Sequence, residues 1–180
     1  MGMDVYGKNP KQNKPMSDFP VYYKYTQMEK QDTEENESID GFKQKWKELD
    51  ADHSLREQYF KESSEYETAN VGHYFRNNCW WWRPLWNYCY HIADDIISEE
   101  VFENGHSNSG AGLNDKGAKL LGNRLLQQIR EGKTIEYQAE YQQWLDDLPD
   151  GDFNKHYPFD IDNVKEFAEF CLQCGGFEIC

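Results

Sequence analysis

Three of the five cysteines lie near the end of the chain, with a spacing that bears on metal chemistry. In "FCLQCGGFEIC", Cys171 and Cys174 are one helical turn apart, and Cys180 follows six residues later. A structural zinc site needs four tetrahedral ligands, so Cys79, Cys89 or a distant histidine would have to supply the fourth. The chain has no second pair of this spacing and no closely spaced histidine pair. Because cysteine is often buried, we expect core thiols and no metal site.

A glycine-rich stretch, "NSGAGLNDKGAK", matches the pattern of a phosphate-binding loop in part. Gly112 and Gly117 fit G-x-x-x-x-G-K-[ST], but Ala118 and Lys119 stand where lysine and then serine or threonine are needed. A glycine turn before a helix can still hold an anion through bare backbone N–H groups. Asp115 would already supply negative charge there, so we expect a tight turn between helices and no cofactor.

Catalytic patterns are likewise missing from the sequence. The five histidines are scattered, and no nucleophile motif such as G-x-S-x-G or S-x-x-K is present. Acidic pairs such as Asp94-Asp95 and Asp146-Asp147 fit solvated helix faces. We therefore expect no catalytic residue and no enzymatic activity.

The most unusual segment is Gly72–Cys89, "GHYFRNNCWWWRPLWNYC", which holds four of the six tryptophans. Such a run can fill a core, stack on a base or sugar, or bind a protein, since tryptophan and arginine dominate interface hot spots. If residues 74–82 are extended, Trp80 and Trp82 share one face of a strand and Trp81 takes the other. The run is therefore expected to be mainly a core element.

A helix is expected to begin at Pro84, because proline suits the first helical position, and to end at Gly105. Trp86 would then lie near the edge of that helix. Arg83 and Trp86 are the residues of this run that we expect to contact a partner.

The chain is strongly acidic, with 33 acidic and 19 basic residues, a net charge of −14 and a pI near 4.7. Nucleic-acid affinity normally comes from lysine and arginine, so direct nucleic-acid binding is not expected, and anionic membrane surfaces are disfavoured. The charge permits docking on a basic, nucleic-acid-binding groove of another protein, although solubility alone also accounts for it. Residues 29–70 carry half of the net charge. From charge we assign partner contacts to four of their acidic residues, Glu34, Glu35, Glu37 and Asp40.

The location expected from the sequence is the cytoplasm. No apolar run approaches the roughly 20 residues of a membrane-spanning helix, and "MGMDVYGKNP" lacks the apolar core of a signal peptide. In this reducing compartment the five cysteines are expected to be thiols.

The expected fold class is α+β: a mostly helical single domain over residues 1–180, with short terminal strands and an aromatic-rich core. "MDVY" and "FEIC" are the strands, which are expected to pair, and "EKQDTEENESID" is expected to be a solvated loop. An acidic elaboration is expected at about residues 16–68. Three further helices follow from periodicity and caps: one capped by Asn114 and ending at Gly132, one over residues 135–148, and one over residues 163–174 capped by Asp162 or Asp160.

Three blocks of the sequence, "MGMDVYGKNP", "GHYFRNNCWWWRPLWNYC" and "HYPFDIDNVKEFAEFCLQCGGFEIC", together resemble a family of small proteins from bacteriophages and prophages. In many relatives the first block runs almost directly into the second, so residues 16–68 resemble an insertion. Some relatives carry a cysteine-rich insert before the third block, whereas "LDDLPDGDFNK" has no cysteine.

A small, acidic, phage-borne protein without catalytic motifs also resembles the type II anti-CRISPR proteins. This resemblance implies a non-enzymatic inhibitor in the host cytoplasm that binds an RNA-guided nuclease and blocks target DNA binding or cleavage. Such nucleases hold nucleic acid in a positively charged channel, and carboxylates can compete for its lysines and arginines.

Two other functions stay open at this stage. The first is a phage accessory enzyme or small-ligand-binding protein that uses Gly110, Gly112 and the tryptophan–arginine run. The second is a structural phage component, for which stable homo-oligomers would be the sign.

Overall fold

A computed structural model describes residues 2–35 and 40–180, with side chains over residues 2–29 and 41–180. The chain divides into two compact units, Met1–Lys11 with Val71–Cys180, and Gln12–Asn70. In chain order the elements are β1 (Gly2–Gly7), a 3₁₀ turn (Met16–Asp18), α1 (Pro20–Glu35), α2 (Asp40–Ala51), α3 (His53–Ala69), β2 (Tyr74–Asn78), α4 (Cys79–Ala93), α5 (Glu99–Asn104), β3 (Ala111–Asn114), α6 (Asp115–Arg130), α7 (Lys133–Asp147), a second 3₁₀ turn (Phe153–His156), α8 (Ile161–Gln173) and β4 (Gly176–Ile179).

The first unit contains an antiparallel sheet of four strands in the order β2-β1-β4-β3. Val5 of β1 lies opposite Phe75 on one side and opposite Ile179 on the other, and all three are buried. Successive side chains of a strand point to opposite faces, so one face of the sheet joins the core. The expected pairing of the two terminal strands is confirmed.

The core of this unit is built around a stacked pair of tryptophans on α4. The rings of Trp82 and Trp86 are 5.4 Å apart at an interplanar angle of 13°, and both side chains are fully buried. Trp82 Nε1 donates to the carbonyl oxygen of Gly105 at 2.7 Å, and Trp86 Nε1 donates to that of Phe102 at 3.0 Å. Buried indole N–H groups need such acceptors. The expected aromatic-rich core is confirmed, as is the mostly helical α+β fold.

The expected single helix from Pro84 to Gly105 is wrong, because α4 ends at Ala93 and α5 is a separate helix. The expected start of α4 at Pro84 is wrong as well. The helix begins five residues earlier because the Asn78 side chain accepts from the backbone N–H groups of Trp80 and Trp81, at 3.0 and 3.1 Å. This is the usual chemistry of an asparagine N-cap. Residues 79–82 are therefore helical, and Trp86 lies in the core instead of at the helix edge.

The other expected helices of the first unit are confirmed, with small shifts at their ends. Asn114 caps α6 by accepting from the N–H of Gly117 at 2.9 Å, and Asp160 caps α8 by accepting from that of Asn163 at 3.0 Å. The sequence did not indicate β3, where a tight turn between helices was expected. This strand is short and contains Gly112, whose missing side chain allows the Phe177 carbonyl to approach closely.

The second unit consists of α1, α2 and α3 around a small core of Tyr25, Leu49 and Tyr59. Lys45 is buried with them, and its Nζ donates to Glu29 Oε1 at 2.9 Å and to Tyr59 Oη at 2.7 Å. A buried charge requires such partners. The acidic elaboration expected at about residues 16–68 falls within this unit, and the assignment of the whole chain to one domain stays a prediction.

The loop expected over residues 29–40 is wrong for residues 29–35, which form the last turns of α1. The expectation is also wrong for Asp40, where α2 begins, and residues 36–39 lie outside the described residues. Within residues 2–35 and 40–180, no helix has both the length and the apolar character to cross a bilayer.

Two glycine-to-alanine substitutions compare a glycine that close packing requires with a glycine that has room for a side chain. A Cβ on Gly105 would overlap the indole of Trp86, whereas a Cβ on Gly117 would meet its nearest atom at 3.4 Å. Gly105→Ala should lower the free energy of unfolding by about 1–3 kcal/mol through overpacking. Gly117→Ala, inside α6, should leave it unchanged or raise it by up to about 1 kcal/mol. Urea unfolding of both variants tests this, and equal stability of the two would contradict the packing of Gly105 on Trp86.

Candidate binding site

A groove of about 270 Å³ opens on the first unit where α4, α7 and the second 3₁₀ turn meet. We call it the aromatic–arginine groove. The residues that line it come from three places in the chain: Arg83, Pro84 and Asn87 from α4, Tyr141 and Trp144 from α7, and Phe153, Asn154 and Tyr157 from the turn and the residue after it. Aromatic walls with a few polar groups are the usual composition of a binding site.

The core of α4 determines which of its residues reach the groove. Trp82 and Trp86 point inward, four positions apart, and thus occupy one face of the helix. Arg83 and Asn87 each follow one of these tryptophans, so they share the neighbouring face and are exposed. The tryptophan stack therefore fixes the polar wall of the groove.

Arg83 is held in place by the aromatic ring at the end of the groove. Its Nη1 donates to Tyr157 Oη at 2.7 Å, and its guanidinium carbon lies 5.5 Å from the centroid of that ring. Arg56, Arg76 and Arg124 each pair with an aspartate, but no carboxylate of the described residues lies within ion-pair distance of Arg83. The other N–H groups of this guanidinium therefore have no ionic partner within the described part of the chain.

The second 3₁₀ turn is fixed against α4 by Trp80. The Trp80 ring lies 5.2 Å from the ring of Phe153 and 5.0 Å from that of Tyr157. From α7, Tyr141 Oη donates to the backbone oxygen of Tyr157 at 2.9 Å. The aromatic walls of the groove are thus positioned before any ligand binds.

Two large apolar side chains of the groove face solvent. The exposed fraction is 45% for Trp144 and 60% for Phe153. Between them in the chain lies the segment 145–152, which carries four aspartates, Asp146, Asp147, Asp150 and Asp152. The residues on either side of this acidic segment line the groove, and its four aspartates are therefore close to the groove in the chain. Lys155 is the one described cation that pairs with them, at 3.6 Å from Asp150.

Tyr141 keeps its proton throughout the neutral range. Burial, followed by the neighbouring phenols of Tyr137 and Tyr157, raises the pKa of Tyr141 from 10.0 to about 12. It therefore acts as a hydrogen-bond donor to the turn and not as a base.

The structure places the residues expected to bind a partner in different environments. Arg83 lines the groove. Trp86 is fully buried, so the expectation that it lies at the surface is wrong. Glu37 lies outside the described residues, and the side chains of Glu34, Glu35 and Asp40 lie outside the described side chains, so the structure does not address their assignment.

The cysteines are thiols that do not gather into a site. Cys89, Cys171 and Cys174 are buried, and burial raises the pKa of Cys174 to about 11. Cys180 is exposed, so the expectation of a core thiol is wrong for that residue. Over residues 2–29 and 41–180, no three His, Cys, Asp or Glu side chains come close enough to hold a metal ion.

The glycine-rich stretch lies away from the aromatic–arginine groove. Gly112 and Gly117 line a separate, more polar depression, which shares no residue with the groove. The Asn114 side chain already occupies the N-terminus of α6. The structure therefore does not bring this stretch together with the tryptophan–arginine run.

Sequence reasoning missed most of the groove. Tyr141, Trp144, Phe153 and Tyr157 were not singled out, because each lies more than 50 positions from Arg83 in the chain. The signal that could have indicated them is "WLDDLPDGDF", in which two aromatic residues flank an acidic segment with proline and glycine. Such a segment is a surface loop, and aromatic residues at its ends are candidates for exposure.

Comparisons of the chain with protein-family models, curated proteins and solved structures find no match.

The raised pKa of Tyr141 predicts a change in the pH dependence of unfolding. Its folded-state pKa lies above the unfolded value, so its contribution to stability is complete below pH 10 and is lost as pH rises through about 12. Tyr141→Phe removes this contribution to the pH dependence. The difference in unfolding free energy between wild type and variant should therefore narrow between about pH 9 and about pH 11. Urea unfolding at both pH values measures it, and a constant difference would show that Tyr141 does not have a raised pKa.

Proposed function

We propose that this protein is a non-enzymatic inhibitor from a bacteriophage or prophage that binds a type II RNA-guided nuclease in the host cytoplasm. In this proposal, binding blocks either the loading of target DNA or its cleavage. The aromatic–arginine groove is the main contact surface.

The observation that supports this proposal is the composition of the groove at the surface. Interface hot spots are enriched in tryptophan, tyrosine and arginine and tend to be well-packed, preformed sites. The groove presents Trp144, Tyr157 and Arg83 together, and Trp144 and Phe153 expose large apolar areas. A partner that covers these rings would remove apolar surface from water.

The charge of the protein supports the choice of partner. The acidic segment 145–152, whose flanking residues line the groove, carries four aspartates, and the whole chain carries a net charge of −14. The nucleic-acid channel of an RNA-guided nuclease is positively charged. Complementary charge of this kind speeds association and selects the partner.

Removal of the exposed aromatic side chains should abolish inhibition if the groove is the contact surface. The assay is cleavage of target DNA by a guide-loaded type II nuclease, with and without the protein. Trp144→Ala combined with Phe153→Ala should raise the half-inhibitory concentration about thirtyfold or more, since a hot-spot truncation costs at least ~2 kcal/mol.

A matched control variant lies on the same helix. Ile135 of α7 is 60% exposed and does not line the groove. Ile135→Ala should leave inhibition within about threefold of wild type. Equal changes in the half-inhibitory concentration of the two variants would show that the groove is not the contact surface. If the wild-type protein inhibits none of several divergent nucleases, the proposed function is wrong.

The acidic residues of the second unit can be tested in the same assay. Substituting glutamine for Glu34, Glu35 and Glu37, together with Asp40→Asn, removes four negative charges without shortening the chain. If this segment competes for basic side chains of the nuclease, inhibition should weaken and become less sensitive to salt. Unchanged inhibition and an unchanged salt dependence would restrict the contact to the first unit.

The shape of the groove favours one second function, the binding of a small ligand. Its volume of about 270 Å³ is close to the lower end of the range for small-molecule sites. Arg83, Asn87 and Tyr157 offer hydrogen-bond donors beside aromatic walls. Native mass spectrometry of the purified protein tests this function, since a tightly bound molecule lost on Arg83→Ala would favour it over the inhibitor.

A further inference from the structure

We infer that the aromatic–arginine groove binds a cationic side chain, arginine or lysine, on an exposed segment of the protein partner. The inference rests on the proposed function in that it takes the partner to be a protein. It also specifies which type of partner side chain the groove binds. The composition of the groove alone does not identify that side chain.

The first reason is the local charge. Residues 140–157, which include all of the groove outside α4, carry five carboxylates and one lysine. That lysine, Lys155, already lies 3.6 Å from Asp150. Asp146 and Asp147 accept hydrogen bonds from Gln142 and Gln143, which are neutral, so their charge is not compensated. The acidic segment therefore carries uncompensated negative charge, which attracts a cation over about one Debye length, ~8 Å at physiological salt.

The second reason is the exposure of aromatic rings beside these carboxylates. Cations are attracted to the faces of tryptophan, tyrosine and phenylalanine rings. Trp144 and Phe153 are both about half exposed or more, and both flank the acidic segment. Asp147 follows Trp144 by three positions on α7, so the two side chains are neighbours on the helix surface. A guanidinium group placed there contacts a ring face and a carboxylate at once.

Arg83, although cationic, does not prevent the groove from binding a cationic side chain. Its guanidinium is directed to Tyr157 Oη at 2.7 Å, and Arg83 and Lys155 together supply two positive charges against the five carboxylates of residues 140–157. Its remaining N–H groups can receive a backbone carbonyl oxygen of the same partner segment. Arg83 thus orients the bound segment, while the aspartates and the rings select its cationic side chain.

Two synthetic peptides test this chemistry directly. Both are short, capped at each end and contain leucine, but one carries two arginines and the other carries two citrullines, which have nearly the same shape without the charge. Their affinity for the wild-type protein is measured by isothermal titration calorimetry. The arginine peptide should bind about tenfold more tightly than the citrulline peptide, and its affinity should fall as salt rises.

Two triple variants with the same net charge distinguish the effect of the acidic segment from the effect of the net charge of the protein. The first replaces Asp146, Asp147 and Asp150 by asparagine. The second replaces Glu100, Glu103 and Glu166, which are exposed on α5 and α8, by glutamine. The first should weaken binding of the arginine peptide about tenfold, and the second should change it less than about threefold. Circular dichroism checks that both variants are folded.

Three results would overturn the inference: equal binding of the two peptides, equal effects of the two triple variants, or tighter binding of a matched glutamate peptide. The cleavage assay separates this failure from failure of the proposed function. If Trp144→Ala with Phe153→Ala abolishes inhibition but the aspartate variant inhibits as wild type does, the function stands and the cationic contact is wrong. If the arginine peptide binds as expected but no nuclease is inhibited, the contact stands and the function is wrong.

Discussion

The stacked pair Trp82 and Trp86 is the interaction on which the first unit depends. Two indoles fill the centre of the core, and each must give its N–H to a carbonyl oxygen. The carbonyls of Gly105 and Phe102 meet this need, which fixes α5 and the following turn against α4. The rotation of α4 about its axis is thereby set, because both rings must face inward. Arg83 and Asn87 are on the outer side for the same reason.

The groove combines elements that come from distant parts of the chain. α4 contributes the polar wall, α7 contributes Trp144, and the second 3₁₀ turn contributes Phe153. Trp80 joins two of these elements by packing on the rings of Phe153 and Tyr157. The "WWW" run therefore has divided roles: Trp82 fills the core, while Trp80, which is only half-buried, supports the groove. Neighbouring tryptophans of this run therefore have two different structural roles.

Local signals in the sequence were sufficient for much of the fold. The sequence indicates Asn114 as a cap, and Asp160 as one of two candidates beside Asp162, because short polar side chains before an apolar helical pattern strongly favour the N-cap position. The same rule correctly predicts the start of α4 from Asn78. Pro84, which is also typical of a helix start, led to the wrong prediction. The groove could not be predicted, because the contact between Arg83 and Tyr157 joins residues 74 positions apart and depends on how α4 and α7 pack. The exposure of Trp144 could not be predicted either, because helical spacing does not distinguish a tryptophan at the edge of a core from one that is exposed to solvent.

The order of strands has a consequence for how the protein is made. β1 and β4 are the two central strands of the sheet, yet about 170 residues separate them in the chain. During translation β1 leaves the ribosome about 170 residues before β4 and can pair with β2 on one side, but its other edge has no partner until residues 176–179 emerge. At 5–20 residues per second this wait lasts on the order of ten to thirty seconds. In the nascent chain, β1 therefore keeps an open edge while the residues between β2 and β4 are made, and the sheet closes only after β4 has emerged.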